Sequence, residues 1–416
     1  MSKYVIYGGE RLEGELHIGG SKNAILPIIA ATILTRNITY LNHCPKILDV
    51  EIMIEILKQL GCKVEWEQDN LIINTSTLQN CDMNEELVKK MRSSIILLGA
   101  LIGRCGEAHI HQPGGCQLGK RPIDLHLAAL RKMGICITEQ HEMITCKSSH
   151  LQGAEIYLAL PSVGATENII LAGVCAEGST IIYNAAKEPE IVDLQDFLVA
   201  CGAKIEGAGS DVIKIQGVKE LKGVSYRVIP DRIVAGTYLV AGAITRGNIR
   251  LLDVKIEHLR TIIDKLSEVG CNIHEEENSV TLQAPTHLLG TKIVTEPYPG
   301  YPTDMQSQML ALLCTCDTTS MIKENLFDAR FKPAQELKRM GADILIYDNC
   351  AYINRTFKLV GTYVRAMDLR GGAALVLAGL AAEGCTIVDH IHHIKRGYED
   401  IAFDLSKLGA HIQEKE

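Results

Sequence analysis

The stretch Gln59–Trp66, QLGCKVEW, decides the fold because the chain repeats it five more times. KMGICITE (132–139), ACGAKIEG (200–207), EVGCNIHE (268–275), RMGADILI (339–346) and KLGAHIQE (407–414) share its pattern: an apolar residue ahead of a glycine, then a short alternating stretch. The glycines are Gly61, Gly134, Gly202, Gly270, Gly341 and Gly409, at separations of 73, 68, 68, 71 and 68 residues. Such regular spacing marks a repeated supersecondary unit. Upstream of Gly61, DVEIMIEILKQLG carries apolar residues at helical spacing, so the glycine closes a helix. Downstream, CKVEWEQDNLIINT alternates as a strand pair. Further upstream in each copy lie a strand, a helix rich in small residues and another strand, clearest in RIVAGTYLVAGAITRGNIRLLDV and GGAALVLAGLAAEGCTIVDHI. The repeat therefore reads β-α-β-α-β-β. Leu-x-Gly opens five copies, at Leu12/Gly14, Leu151/Gly153, Leu221/Gly223, Leu288/Gly290 and Leu359/Gly361; the second copy, near Cys81–Met91, lacks it.

The sixth copy reaches Glu416 after one strand of its hairpin, and KYVIYG near the N-terminus has the character of the missing strand. This predicts two domains of three repeats, residues 21–229 and residues 1–20 plus 230–416. Small-residue helices suit close packing inside, with sheets outside. A generic doubly wound sheet would not place six glycines in register.

Composition narrows the function. The chain has 416 residues, 47% apolar and 22% charged, the balance of a globular protein. A net charge of -8 argues against a nucleic-acid binder, which needs a basic face. Apolar runs such as residues 373–382 fall short of a membrane span. Fourteen cysteines with no Cys-x-x-Cys pair, in a chain whose start lacks a leader's apolar core, predict a reducing cytoplasm. Neither His109-x-His111 nor His390-x-His392-His393 has a carboxylate or cysteine completing a metal set, and alternation on a strand explains them; no metal or cofactor is expected.

Polar residues gather at equivalent points of the repeat. The junctions after the first strand hold Lys22 and Asn23, Arg92, Ser162-Val163-Gly164, Asp231-Arg232, Asp304, and Asp368 with Arg370. The second junctions hold Cys116, Lys120, Arg121 and Asp124; Glu188, Glu190 and Asp193; Asp328 and Arg330; Lys395 and Arg396. Helix N-termini attract anions, and arginine forks match phosphate and carboxylate. Singly, an arginine at a helix start is a surface ion pair and Asp231 or Asp304 a helix cap; recurrence favours a basic site of Lys22, Arg92, Arg121, Arg330, Arg370 and Arg396. Cys116, after Pro113-Gly114-Gly115 and beside Lys120 and Arg121, is the best candidate for a reactive thiolate.

At these residues the sequence resembles the enolpyruvyl transferases, and within them the branch acting on UDP-N-acetylglucosamine. The matching stretches are GGSKNAILPI (19–28), PGGCQLGKRPIDLHL (113–127), PSVGATEN (161–168), EPEIVD (188–193), YPTDMQSQM (301–309), MDLRGGAALVLAGLAAEGCTIVD (367–389) and HIKRGYEDI (393–401). The resemblance runs from end to end. It implies a two-domain inside-out α/β barrel with the active site between the domains. It also implies transfer of the enolpyruvyl group of phosphoenolpyruvate to the sugar 3'-hydroxyl with release of phosphate, the first committed step toward peptidoglycan precursors, without a cofactor. Cys116 would be the proton donor and form a covalent adduct with phosphoenolpyruvate, and Asp304 the base. Lys22, Asn23, Arg92, Arg121 and Arg396 would hold phosphoenolpyruvate, with Asp368, Arg330 and Arg370 around the tetrahedral adduct. Arg121, Pro122, Ile123, Asp124 and Leu125, with Ser162, Val163, Gly164 and Leu326, would hold the UDP part. The sister enzyme acting on shikimate 3-phosphate lacks the cysteine loop, and a non-catalytic UDP-sugar-binding paralogue is the other alternative. Departures from the family pattern are Asp328 where Glu is common, Pro333 where His is common, Leu160-Pro161 ahead of Ser162, and Lys120 where a small residue is usual.

Overall fold

A computed structural model describes residues 2–114 and 123–416. The chain divides into two compact bodies. The N-terminal body holds residues 20–229 and the C-terminal body residues 2–19 with 230–416, within the described residues. Each body has its own continuous apolar core.

All six marker glycines adopt positive φ, from 82° at Gly134 to 103° at Gly202 and Gly270. Each follows the capping residue of a helix, Leu60, Met133, Cys201, Val269, Met340 or Leu408. Only glycine takes this left-handed turn without crowding a Cβ, and the reversed chain enters the hairpin directly.

Three small-residue helices form the inside of each body. In the N-terminal body they are Lys22–Thr32, Leu97–Cys105 and Val163–Gly173. In the C-terminal body they are Arg232–Ile244, Gln306–Leu313 and Leu369–Ala381, and in the last every residue but Ala381 is buried. Small side chains let the backbones close in. A Cβ on Gly99 would stand 2.3 Å from the Asn168 carbonyl oxygen of the neighbouring inner helix.

Sheets flank these helices. Among the described residues, five have four strands, with one parallel pair and the rest antiparallel; the sixth has three. The three-stranded sheet (Glu107–His111, Met143–Lys147, Cys136–Gln140) belongs to the copy without Leu-x-Gly, and a single bridge, Asp82 to His109, stands where the others have a first strand. The N-terminal strand Lys3–Tyr7 runs between Cys385–Asp389 and His411–Lys415, antiparallel to both, and completes the sixth hairpin. At the two crossings the copies exchange strands: Glu13–His17 pairs with Asn248–Leu252, and Ser225–Arg227 with Ile38–Asn42. No described helix is long and apolar enough to cross a membrane.

One expectation needs correction. His109 and His111 do alternate on a strand, but the strand before the second histidine group ends at Asp389. His390 is left-handed (φ 60°), and His392 and His393 ride the 3-10 turn Ile391–Arg396, so alternation does not explain that group. Lys395, at the same junction, makes a half-exposed ion pair with Glu414 at 2.7 Å.

Candidate functional site

The inner helices start at or just after junctions singled out by the sequence, and side-chain caps shape four of the six starts. Ser21 and Ser162 accept from the amides of Ala24 and Ala165, each at 3.4 Å. Asp231 accepts from Ile233 and Val234 at 2.8 and 2.9 Å, and Asp368 from Arg370 and Gly371, both at 3.0 Å. These are N-caps, which favour Ser and Asp because a short side-chain oxygen reaches the free amides. Asp304 is different. It sits in a 3-10 turn, Thr303–Met305, ahead of its helix, and its carboxylate is not spent on capping.

That carboxylate anchors the C-terminal body's site. Arg330 donates to its Oδ1 at 2.9 Å, and Arg370 to its Oδ2 at 2.9 Å from a terminal nitrogen and 3.3 Å from Nε. Arg330 also grips the Thr303 carbonyl at 2.9 and 3.1 Å and lies over the Phe327 ring. Both guanidiniums are buried, at 1% and 3% exposure. Burial alone works against a charged Arg370, but Asp304, Tyr398 and Asp231 outweigh it and raise its pKa. Two buried polar atoms at this helix start remain open among the described residues, Arg370 NH1 and Asp368 Oδ2. Around them lie residues the sequence reading passed over. Arg370 stands over the Tyr398 ring; the Tyr398 hydroxyl meets Thr237 Oγ1 at 2.8 Å, and Gln308 donates to the same oxygen at 3.1 Å. Tyr398 lies inside the quoted HIKRGYEDI, so its neighbours were the available signal. Arg396 ends the adjacent 3-10 turn, where burial, then His392 and Arg396, push His393 down to about 4. Leu326 is exposed, with its amide on the buried Glu324 at 2.8 Å. Pro333 starts the helix Pro333–Arg339 against Gly371.

In the N-terminal body, Lys22 opens its helix and pairs with the buried Asp49 at 2.7 Å, a partner the sequence reading missed; Asn23 beside it is half-buried. Arg92 opens the 3-10 turn Arg92–Ile96 and donates to the Pro113 carbonyl at 3.4 Å. Val163 and Gly164 form the first turn after Ser162. Glycine at 164 leaves room for the His126 ring, which a Cβ there would approach to 2.9 Å and push aside. His126 is buried and its Nδ1 lies 2.8 Å from Asn168 Nδ2; an amide nitrogen only donates, so Nδ1 is the unprotonated acceptor. Asn168 also donates to the Ile95 carbonyl at 3.0 Å and accepts from the Gly99 amide at 2.7 Å. Burial, then Arg92, holds His126 down at about 4. On the same inner helix Glu167 is buried, and burial, then Glu190 and Glu188, raise its pKa well above the carboxylate range. Ile123 and Asp124 start the helix that carries His126, with Leu125 half-buried behind them. Cys116, Lys120, Arg121 and Pro122 lie outside the described residues.

Comparison with known proteins places the chain. The family model described as EPSP synthase (3-phosphoshikimate 1-carboxyvinyltransferase) matches residues 6–414. A relative from Caldanaerobacter subterraneus, named UDP-N-acetylglucosamine 1-carboxyvinyltransferase 2, is 48% identical over 99% of both chains. One from Carboxydothermus hydrogenoformans, named UDP-N-acetylglucosamine 1-carboxyvinyltransferase 1, is 48% identical over 99% of this chain and 98% of its own. The crystal structure of the enolpyruvyl transferase NikO from Streptomyces tendae matches with a TM-score of 0.90 at 24% identity over 100% of this chain and 99% of that one. EPSP synthase from Acinetobacter baumannii matches at 0.75 and 18% over 100% of both. These two structures establish the fold, the inside-out arrangement of helices and sheets that the sequence reading expected.

Two predictions follow from the geometry. Asp304→Ala strips the partner from two buried guanidiniums and should destabilise the C-terminal body by about 3–5 kcal/mol in urea unfolding, with Asp304→Asn milder; a loss under about 1 kcal/mol would show that Arg330 and Arg370 find water or another partner instead. The second concerns pH. Because His126 falls from 6.5 to about 4 on folding, the unfolded chain takes up its proton first. Stability is then full above about 6.5 and drains as pH falls toward 4, by up to about 3 kcal/mol. His126→Asn, which keeps an acceptor for Asn168, should flatten that loss; equal pH slopes in the two proteins would refute the neutral, buried His126.

Proposed function

The chain belongs to the EPSP synthase family of enolpyruvyl transferases, and we propose that it moves the enolpyruvyl group of phosphoenolpyruvate to the 3'-hydroxyl of UDP-N-acetylglucosamine, releasing phosphate. The observation that carries this is the near-complete, 48% identical match to relatives named for that activity. The product of that reaction is a precursor of peptidoglycan, and the absence of a Cys-x-x-Cys pair among fourteen cysteines supports a reducing cytoplasm as its setting.

The side chains fit the chemistry as follows. In the addition step the sugar oxygen bonds to C2 of phosphoenolpyruvate while the methylene carbon gains a proton. In the elimination step that carbon returns a proton and the C2–O bond to phosphate breaks. The step needs a base, an acid and fixed positive charge. Asp304 is the base for the 3'-hydroxyl. Arg330 and Arg370 hold its carboxylate, so taking the proton requires it to yield part of that grip. The substrate's own anionic groups supply the exchange, drawing a guanidinium fork toward them. The open Arg370 NH1 and Asp368 Oδ2 border the tetrahedral adduct. Lys22, Asn23, Arg92, Arg121 and Arg396 hold phosphoenolpyruvate. The segment Arg121–Leu125 (Pro122, Ile123 and Asp124 within it), with Ser162, Val163, Gly164 and Leu326, holds the UDP part. Cys116 is the proton donor and carries the enolpyruvyl adduct.

Purified protein should release phosphate only when phosphoenolpyruvate and UDP-N-acetylglucosamine are both present; no release across pH 5–9, with or without divalent cations, would end this reading. Fosfomycin, an epoxide phosphonate, should alkylate the protein at one thiol and leave Cys116→Ser unmodified. Buried Cys62, Cys146, Cys201, Cys271 and Cys316 stay protonated, each pushed up to about 12 by burial. Cys105 is the competitor to watch, because it is exposed and the Cys81 thiol's hydrogen bond lowers its pKa. An adduct mapped by mass spectrometry to Cys105 would remove Cys116 from its role.

A further inference from the structure

The C-terminal ends of the inner helices carry chemistry that the transferase reaction does not use. In the N-terminal body a cavity of about 650 Å³ opens there. That is the size range of small-molecule sites. Arg36 and Arg104 line it, with Lys219, the His150–Glu177 pair at 2.9 Å, and Glu220. The two arginines are close enough that Arg104's pKa is lowered, first by burial and then by Arg36. Arg104 donates to the Thr75 carbonyl at 3.4 Å, while its other terminal nitrogen, NH1, is buried with no hydrogen-bond partner among the described residues.

Basic residues at helix C-termini have an ordinary use: they satisfy the last carbonyls. The C-terminal body shows that use at the matching point. Arg246 lies two residues before its strand Asn248–Leu252, in left-handed backbone (φ 59°), as Arg36 (φ 56°) lies two before Ile38–Asn42. Arg246 donates to the carbonyls of Ala243, Ile244, Thr286 and Thr315 and to Thr315 Oγ1. Arg36 has the same backbone and place in the repeat, yet it is exposed where Arg246 is half-buried, and among the described residues it has no hydrogen-bond or ion-pair partner. One copy of this arginine closes its own helix ends; the other faces a second guanidinium across a cavity.

We propose that this cavity is an anion site distinct from the transferase residues, taking a small phosphate or diphosphate compound between the forks of Arg36 and Arg104. Three cations, Arg36, Arg104 and Lys219, line the cavity with two exposed carboxylates, Glu177 and Glu220, of which Glu177 contacts His150, so the lining carries a net positive charge. A doubly charged phosphoryl group relieves the repulsion between the arginines and fills the open donor of Arg104.

Inorganic pyrophosphate is the probe, titrated into the full-length protein by calorimetry at about 0.15 M salt, where exposed charges are screened. The wild type should show a binding event that Arg36→Gln weakens at least tenfold and Arg36→Gln/Arg104→Gln abolishes, whatever event at the substrate residues remains. Without the probe, Arg36→Gln should melt at or above the wild-type temperature, whereas Arg246→Gln should melt lower. Two results would overturn the proposal. One is pyrophosphate binding that is absent or indifferent to Arg36→Gln. The other is Arg36→Gln lowering the melting temperature as much as Arg246→Gln does, which would make Arg36 a helix-closing residue like its counterpart. Arg36 makes no bond that folding needs, so the single variant decides the matter even if the double variant fails to fold.

Discussion

A helix buried on every side can show its polar backbone only at its two ends, and this constraint organises the molecule. The helix Leu369–Ala381 has no solvent face to spend on polar side chains, and Gln306–Leu313 has none either. Free amides at the start and free carbonyls at the finish must then be met by side chains, turns or ligands. Capping side chains meet the amides at Ser21, Ser162, Asp231 and Asp368. Short 3-10 turns meet them at Arg92 and Asp304. The recurrence of polar residues at one point of the repeat is the direct consequence.

The site in the C-terminal body depends on a departure from that rule. Asp231 and Asp368 are held by their own helix amides, so their carboxylates have little freedom for chemistry. The extra turn at Thr303–Met305 frees Asp304, and two buried guanidiniums take it instead. Three groups thereby gain a fixed geometry at some cost in desolvation. A buried pair of this kind is weak evidence for stability and better evidence for a positioned charge. Asp231, which the sequence reading left without a task, has two modest ones: it caps its helix and adds to the negative field around Arg370.

The repeat, its glycine closures and the completing N-terminal strand were legible because each is set by a local backbone requirement; the second copy's lack of Leu-x-Gly was seen, but six full units were expected and the loss of its first strand was not read from it. A C-terminal glycine or an alternating hairpin needs no knowledge of distant residues. The exchange of strands Glu13–His17 and Ser225–Arg227 was only half legible: the crossings were, the pairing partners were not. The partners of site residues were hidden for the same reason. Asp49 beneath Lys22, and Asn168 and His126 beneath Gly164, are long-range contacts between copies, and one-dimensional spacing carries no trace of them. Histidines 390, 392 and 393 misled because a run at the end of a strand reads as strand until the turn is known.

The copies of the repeat also act as controls for one another, since a residue at the same point of the repeat meets the same backbone need. Where both copies use it alike, as with the marker glycines, the residue belongs to the fold. Where they part, the difference calls for a cause outside the backbone. Asp304 parts from Asp231 at the helix starts, and Arg36 parts from Arg246 at the helix ends. In both cases the departing side chain has given up backbone hydrogen bonds that its counterpart makes. A charged group set in or against the protein interior, yet not serving the backbone, must be held by another charge. At Asp304 that charge is intramolecular, from Arg330 and Arg370. Arg36 is exposed, so burial forces no partner on it; what an anion from solution relieves there is the repulsion from the second guanidinium beside it.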